Sequence, residues 1–121
     1  ETGAVGERRI LVHIDDEGLE PDGLAVDCDG GIWVALWGGG ALRRVTPDGA
    51  RDRDGEIGVP HVTAIAFIGS QLDDALVTTA MRDLDEDARA RFPDAGRVML
   101  VTGLGVTGLP SYRWRPGPLP Q

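Results

Sequence analysis

Short apolar runs, each closed by glycine, proline or aspartate, recur from one end of the chain to the other. They fall at Arg9 to Ile14, Leu24 to Asp27, Ile32 to Trp37, Ala41 to Thr46 and Ile57 to Val59, then at Thr63 to Ile68, Ala75 to Ala80, Arg97 to Thr102 and Ser111 to Trp114. Runs of about 4–6 residues rich in Val, Ile, Leu and Thr, with turn formers between them, predict strands joined by tight turns, hence an all-β fold. Asp29-Gly30-Gly31 and Pro47-Asp48-Gly49 supply hairpin turns, glycine accepting positive φ and proline pre-setting its own. Within Ile32 to Trp37, Ile32, Val34 and Leu36 alternate with Trp33, Ala35 and Trp37. Both faces are apolar, as in a strand covered on both sides.

One segment departs from this rhythm. Asp83 to Phe92 (DLDEDARARF) is charged and helix-forming, with Asp83 three residues ahead of Glu86 in capping-box spacing and Pro93 as a stop. The spacing predicts a short exposed helix over 83–92, inserted between two strands of a hairpin. The tail from Arg115 to Gln121 is rich in Pro and Gly and reads as an irregular terminus.

The strands also repeat. DGLAVD (22–27) aligns with TAIAFI (63–68), placing Asp22 over Thr63, Leu24 over Ile65 and Val26 over Phe67 at an offset of 41 residues. IWVALW (32–37) answers to ALVTTA (75–80), and ALRRVT (41–46) to GRVMLVT (96–102). Four strands per unit at a period of about 40–45 residues is the pattern of propeller blades. The expected organisation is one partial β-propeller domain over 1–121, with four-stranded units at 22–59 and 63–114 and a leading strand at 8–14.

Charge and cysteine content narrow the partners. Twenty Asp and Glu stand against 12 Lys and Arg, for a formal net charge of -8, and there is no basic run. Nucleic acid is therefore not an expected partner. An acidic surface chiefly keeps a protein soluble, and its alternative role is to attract cations. Cys28 is the lone cysteine, so no intrachain disulfide and no cysteine metal cluster can form, which suits the cytoplasm. No apolar run approaches the roughly 20 residues of a membrane span. The chain opens on Glu1 without an initiator Met, and a piece of a longer protein is the expectation.

The phrases PDGLAVD, GGIWVALWGGG, RRVTPDG, TAIAF, ALVTTA and GRVMLVTGLGVTGLPSYRW, in that order, resemble the senescence-marker-protein (regucalcin) and gluconolactonase family over nearly the whole chain. The resemblance implies a six-bladed β-propeller with a divalent metal in its central tunnel, held by one Glu, two Asn and one Asp from different blades. It implies hydrolysis of sugar lactones or, in other members, calcium handling. The Asp of the family's Pro-Asp-Gly phrase matches Asp22, which would then be a metal ligand and the base for the attacking water. Ca²⁺, Mg²⁺, Mn²⁺ or Zn²⁺ would suit a carboxylate ligand, and would polarise the lactone carbonyl. The family's Glu and Asn ligands belong to earlier blades, and this chain has no Asn. Six blades need roughly 240–270 residues, so the chain amounts to about two blades, and a single ligand leaves it inactive alone. Blades cut from a ring expose apolar faces, so self-association, or a companion chain carrying the missing blades, is expected.

Other candidates carry less. Asp22 in Pro-Asp-Gly also reads as a plain turn. His13 and His61 have no second ligand at a metal spacing. Asp27-Cys28-Asp29-Gly30 and Asp52-Arg53-Asp54-Gly55 begin like calcium loops but reach Gly31-Ile32 and Glu56-Ile57 where an acidic or amide residue followed by Gly is needed, so both read as turns. Ser70, Ser111 and Cys28 have no His/Asp partner pattern. Gly38-Gly39-Gly40 follows a strand and lacks a phosphate-loop Lys, which makes it a hairpin. Thr63 is expected to line the tunnel, and Trp37 to pack between blades or border the substrate mouth.

Overall fold

The chain forms two antiparallel meanders laid against each other, described here by a computed structural model over residues 4–112. The first comprises β1 (Glu20–Val26), β2 (Ile32–Trp37), β3 (Ala41–Val45) and β4 (Arg51–Glu56), each hydrogen-bonded to the next. The second comprises β5 (His61–Ile68), β6 (Asp74–Ala80) and β7 (Val98–Val101), with helix α1 (Glu86–Arg91) between β6 and β7. A single pair, Trp37 with His61, joins β2 to β5, so β1 and β5 run side by side as the first strands of their meanders.

The main core lies between the meanders. Trp33 and Ala35 of β2 and Leu42 of β3 pack on Val62, Ile65, Ala75 and Val77 of β5 and β6, all of them buried. The apolar alternation on both faces of β2 is what permits this, because Val34 and Leu36 are buried on the opposite side. A smaller cluster of Val59, Leu84 and Ala95, with Phe92 and Met99, anchors the α1 insertion.

Five expectations are corrected. Residues 8–14 form no strand; this stretch lies against the first meander instead, with the Leu11 carbonyl at Gly49. Just beyond it Asp16 accepts from Arg43 at 2.6 Å. The fourth strand is Arg51–Glu56, upstream of the expected Ile57 to Val59, and Asp52 to Gly55 belongs to it instead of forming a turn. RDRDGE is polar throughout because it is an outer edge with acids facing the arginines of β3, and apolar content does not report such a strand. The helix is capped by Asp85, whose carboxylate accepts from the Ala88 N–H at 2.8 Å, and not by Asp83, which sits in the preceding turn at φ 61°. Ser111 and Tyr112 carry no strand, and the rest of the run to Trp114 lies outside the described residues.

Candidate functional site

Asp22 sits within β1, and the Pro-Asp-Gly around it is not a hairpin turn. The β1–β2 ladder slips between Pro21 and Leu24, a bulge that takes Asp22 and Gly23 out of regular pairing. Bulges re-aim a side chain without ending a strand, and they gather near functional sites. Gly23 is required for a second reason. A Cβ there would lie 2.7 Å from both the Thr63 carbonyl oxygen and the Ala64 Cβ, so only glycine lets β1 approach β5 this closely. The result is an exposed carboxylate on the strand nearest the neighbouring meander, with no side-chain hydrogen bond or ion pair to another described residue.

The aligned position in the next meander behaves alike. The β5–β6 ladder slips between Val62 and Ala64, which puts Thr63 in an equivalent bulge, its hydroxyl 2.7 Å from that of Thr78. Trp37 is half-buried at the end of β2 and stacks on His61, ring centroids 4.0 Å apart and 11° from parallel. His13 is exposed in the segment before β1. Gly38 to Gly40 close the β2–β3 hairpin, with Gly38 and Gly40 at positive φ.

A different carboxylate, Asp27, holds the fold together. It is fully buried at the end of β1 and accepts from Trp33 Nε1 at 2.9 Å, Arg44 Nε at 2.7 Å, Arg44 Nη2 at 3.2 Å and the Gly31 and Asp29 amides. Burial alone would raise its pKa, but the hydrogen bonds from Arg44, Trp33 and Gly31 and the Arg44 charge outweigh it and hold the carboxyl below 3.8. Arg44 is in turn held protonated, chiefly by Asp27, and it also pairs with Asp52 at 3.0 Å. Arg43, pointing to the other face, joins Asp54 and Asp16. Sequence reading placed Asp27 in a turn and missed this network. The available signal was the Arg43-Arg44 pair inside an apolar strand, where each arginine must find a carboxylate on its own face.

The implied metal can be tested against these residues. Among the described residues no group of three His, Cys, Asp or Glu could hold an ion. Asp22 offers one hard oxygen ligand where Ca²⁺ takes 6–8 oxygens. The residues present do not complete a metal site. No helix among them is long and apolar enough to cross a membrane.

Comparison with known proteins identifies the class and then the family. Regucalcin of Agrobacterium tumefaciens, described as a calcium-binding protein, superposes with a TM-score of 0.81 at 33% identity, covering 90% of this chain and 37% of that one. A luciferin-regenerating enzyme superposes with a TM-score of 0.71 at 32% identity, over 84% of this chain and 34% of that one. The architecture is therefore an all-β, propeller-type sheet. Rabbit regucalcin is 36% identical over 115 residues and human regucalcin 33%, each match taking in 94% of this chain. The family model for the SMP-30/gluconolactonase/LRE-like region matches residues 1–81, and the chain belongs to that family. It spans 38% of the length of those curated relatives.

Proposed function

We propose that the chain is part of a metal-dependent hydrolase of sugar lactones, in the cytoplasm, with Asp22 as one metal ligand and as the base that takes a proton from the attacking water. The observation that carries the reading is the exposed, bulge-aimed carboxylate of Asp22 on a strand that glycine brings against its neighbour. The remaining metal donors would come from another segment or another chain, so the chain alone is expected to be inactive. In a protein supplying those donors, Asp22→Ala should lower glucono-lactone hydrolysis by about 10²–10⁴-fold, the range set by removing a positioned acid–base group. Turnover within a few-fold of the parent would sink this role for Asp22.

A calcium-binding propeller without turnover is the second reading, favoured by the description of the Agrobacterium relative as calcium-binding. Under it, calorimetry detects Ca²⁺ binding that Asp22→Ala removes, while no lactone is hydrolysed. A third reading, a chain that has lost its site, predicts neither.

A further inference from the structure

The two outer edges of the sheet are built differently. In the strand order β4-β3-β2-β5-β6-β7, β4 and β7 are each paired on one side only among the described residues. β4 (RDRDGE) is charged along its length, which deters another strand from adding to it. β7 (VMLV) has neither charge nor proline, and its Val98 and Leu100 are both 62% exposed. The repeat sharpens the contrast. ALRRVT aligns with GRVMLVT, so β7 stands where β3 stands in the first meander. β3 carries β4 on its outer side, and β7 carries no described strand there.

The same chain holds a strand-like stretch without a ladder. Residues 8–14 (RRILVHI) leave Ile10 65% and Val12 39% exposed and make no backbone hydrogen bond to another described residue. The Leu11 carbonyl meets Gly49 in the β3–β4 turn, and Asp16, just beyond the stretch, pairs with Arg43. Arg43 shares a face with Val34, its partner across the ladder, whereas Trp33 and Ala35 face the second meander. The stretch therefore lies on the far side of the first meander, out of reach of β7 in its own copy.

Charge sets a direction. Arg8 and Arg9 open the stretch, in a chain of net charge -8, and have no ion pair with a described residue. Asp73 and Asp74 are likewise unpaired, and with Gly103 and Gly105 they border a cavity of about 340 Å³. Ala75, next to Asp74, is the partner of Val101 at the end of β7. Every ladder of this sheet is antiparallel. A strand added to β7 in that sense brings its first residues to the Val101 end, and so Arg8 and Arg9 to the two aspartates. Parallel addition would set them against Arg97.

We propose that residues 8–14 of one copy add to β7 of a second copy, antiparallel, as the fourth strand of its second meander, with Arg8 and Arg9 on Asp73 and Asp74. Main-chain pairing supplies the adhesion and the charges fix the sense. The contact is heterologous, passing from copy to copy into a ring or an open chain. It needs neither Asp22 nor a metal, and it stands apart from the lactone reading.

The test is the mass of the chain by light scattering and native mass spectrometry at rising concentration, with hydrogen exchange on the same samples. Species heavier than 12.9 kDa should appear, and as they form exchange should slow at residues 8–14 and at alternate amides of β7. Arg8→Glu with Arg9→Glu should weaken association about tenfold at low salt, as should Asp73→Arg with Asp74→Arg, the effect shrinking as salt rises. The chain carrying all four substitutions should associate like the parent, a rescue that apolar face-to-face contact would not give. None of the four side chains has an ion-pair partner among the described residues, so the reversals leave the fold intact. A monomer at every concentration, association indifferent to the reversals, no recovery in the fourfold variant, or β7 amides already fully protected in the monomer would each overturn it.

Discussion

Removing the Asp27 carboxylate should nearly unfold the chain. In Asp27→Ala the Arg44 guanidinium loses its Nε and Nη2 partner and keeps only Asp52, while Trp33 Nε1 and two backbone amides lose their acceptor. Breaking one side of a buried ion pair costs about 3–5 kcal/mol, because the remaining charge stays buried without compensation. The orphaned indole and amide donors push toward the upper end of that range, though their costs do not add independently. Small domains hold only about 5–15 kcal/mol in total. Asp27→Asn keeps one acceptor oxygen, enough for the Gly31 amide or Trp33 Nε1 but not both, and loses the charge, so it should fall between Asp27→Ala and the parent. Urea unfolding followed by tryptophan fluorescence suits the question, since Trp33 is a direct partner. The pH dependence supplies a second check. Asp27 has a folded pKa below its ordinary 3.8, so the stability it provides is complete above the unfolded value and is lost as pH falls through the folded one. Acid destabilisation below about pH 4 should therefore be shallower in Asp27→Asn, with Asp54, also held low against burial by Arg43 and Arg51, supplying the remainder. An Asp27→Asn midpoint equal to the parent's at neutral pH, or an unchanged acid limb, would refute the argument.

Two further outcomes follow from the packing. Gly23→Ala should destabilise by about 1–3 kcal/mol, the usual cost of forcing a side chain into occupied space, because its Cβ would meet Thr63 and Ala64 backbone within 3 Å; an unchanged denaturation midpoint would mean that β1 and β5 can part freely. The outward face of β6 and β7 exposes Leu76, Val98 and Leu100, and Leu24 is 60% exposed where its aligned partner Ile65 is buried in the core. We propose that these faces associate with copies of the chain or with a companion chain. Light scattering should then show species larger than 12.9 kDa that Leu100→Lys reduces, and a parent chain that is monomeric at high concentration would count against it.

The repeat was legible because blade packing writes itself into spacing. The 41-residue offset places Asp22 over Thr63 and Leu24 over Ile65, and the ladders slip at both aligned bulges. What stayed hidden depends on partners distant in sequence. Arg51–Glu56 is a strand because Asp52 and Asp54 face Arg44 and Arg43, and no local apolar pattern signals that. Asp27 looks like any Asp before a glycine turn until Arg44, 17 residues on, is folded against it. Residues 8–14 have the apolar content of a strand but lie against the first meander without pairing, and propensity cannot distinguish the two.

Asp22 and Asp27 lie five residues apart at opposite ends of one strand, and their surroundings argue for different roles. Asp27 is saturated with donors, and every one of them ties β1 to its own turn or to β2 and β3. The arginines of β3 and β4 are likewise turned toward Asp16, Asp27, Asp52 and Asp54. Asp22 is left outside this neutralising network, on a strand whose glycine exists to let a neighbour approach. A carboxylate that served only the fold would gain by the pairing Asp27 receives, yet β2 and β5, the strands that flank Asp22, carry no arginine. That it is displayed and unpaired among the described residues is the physical reason to look for a cation there, and it makes Asp22, not the better-connected Asp27, the residue whose loss should touch activity while sparing stability.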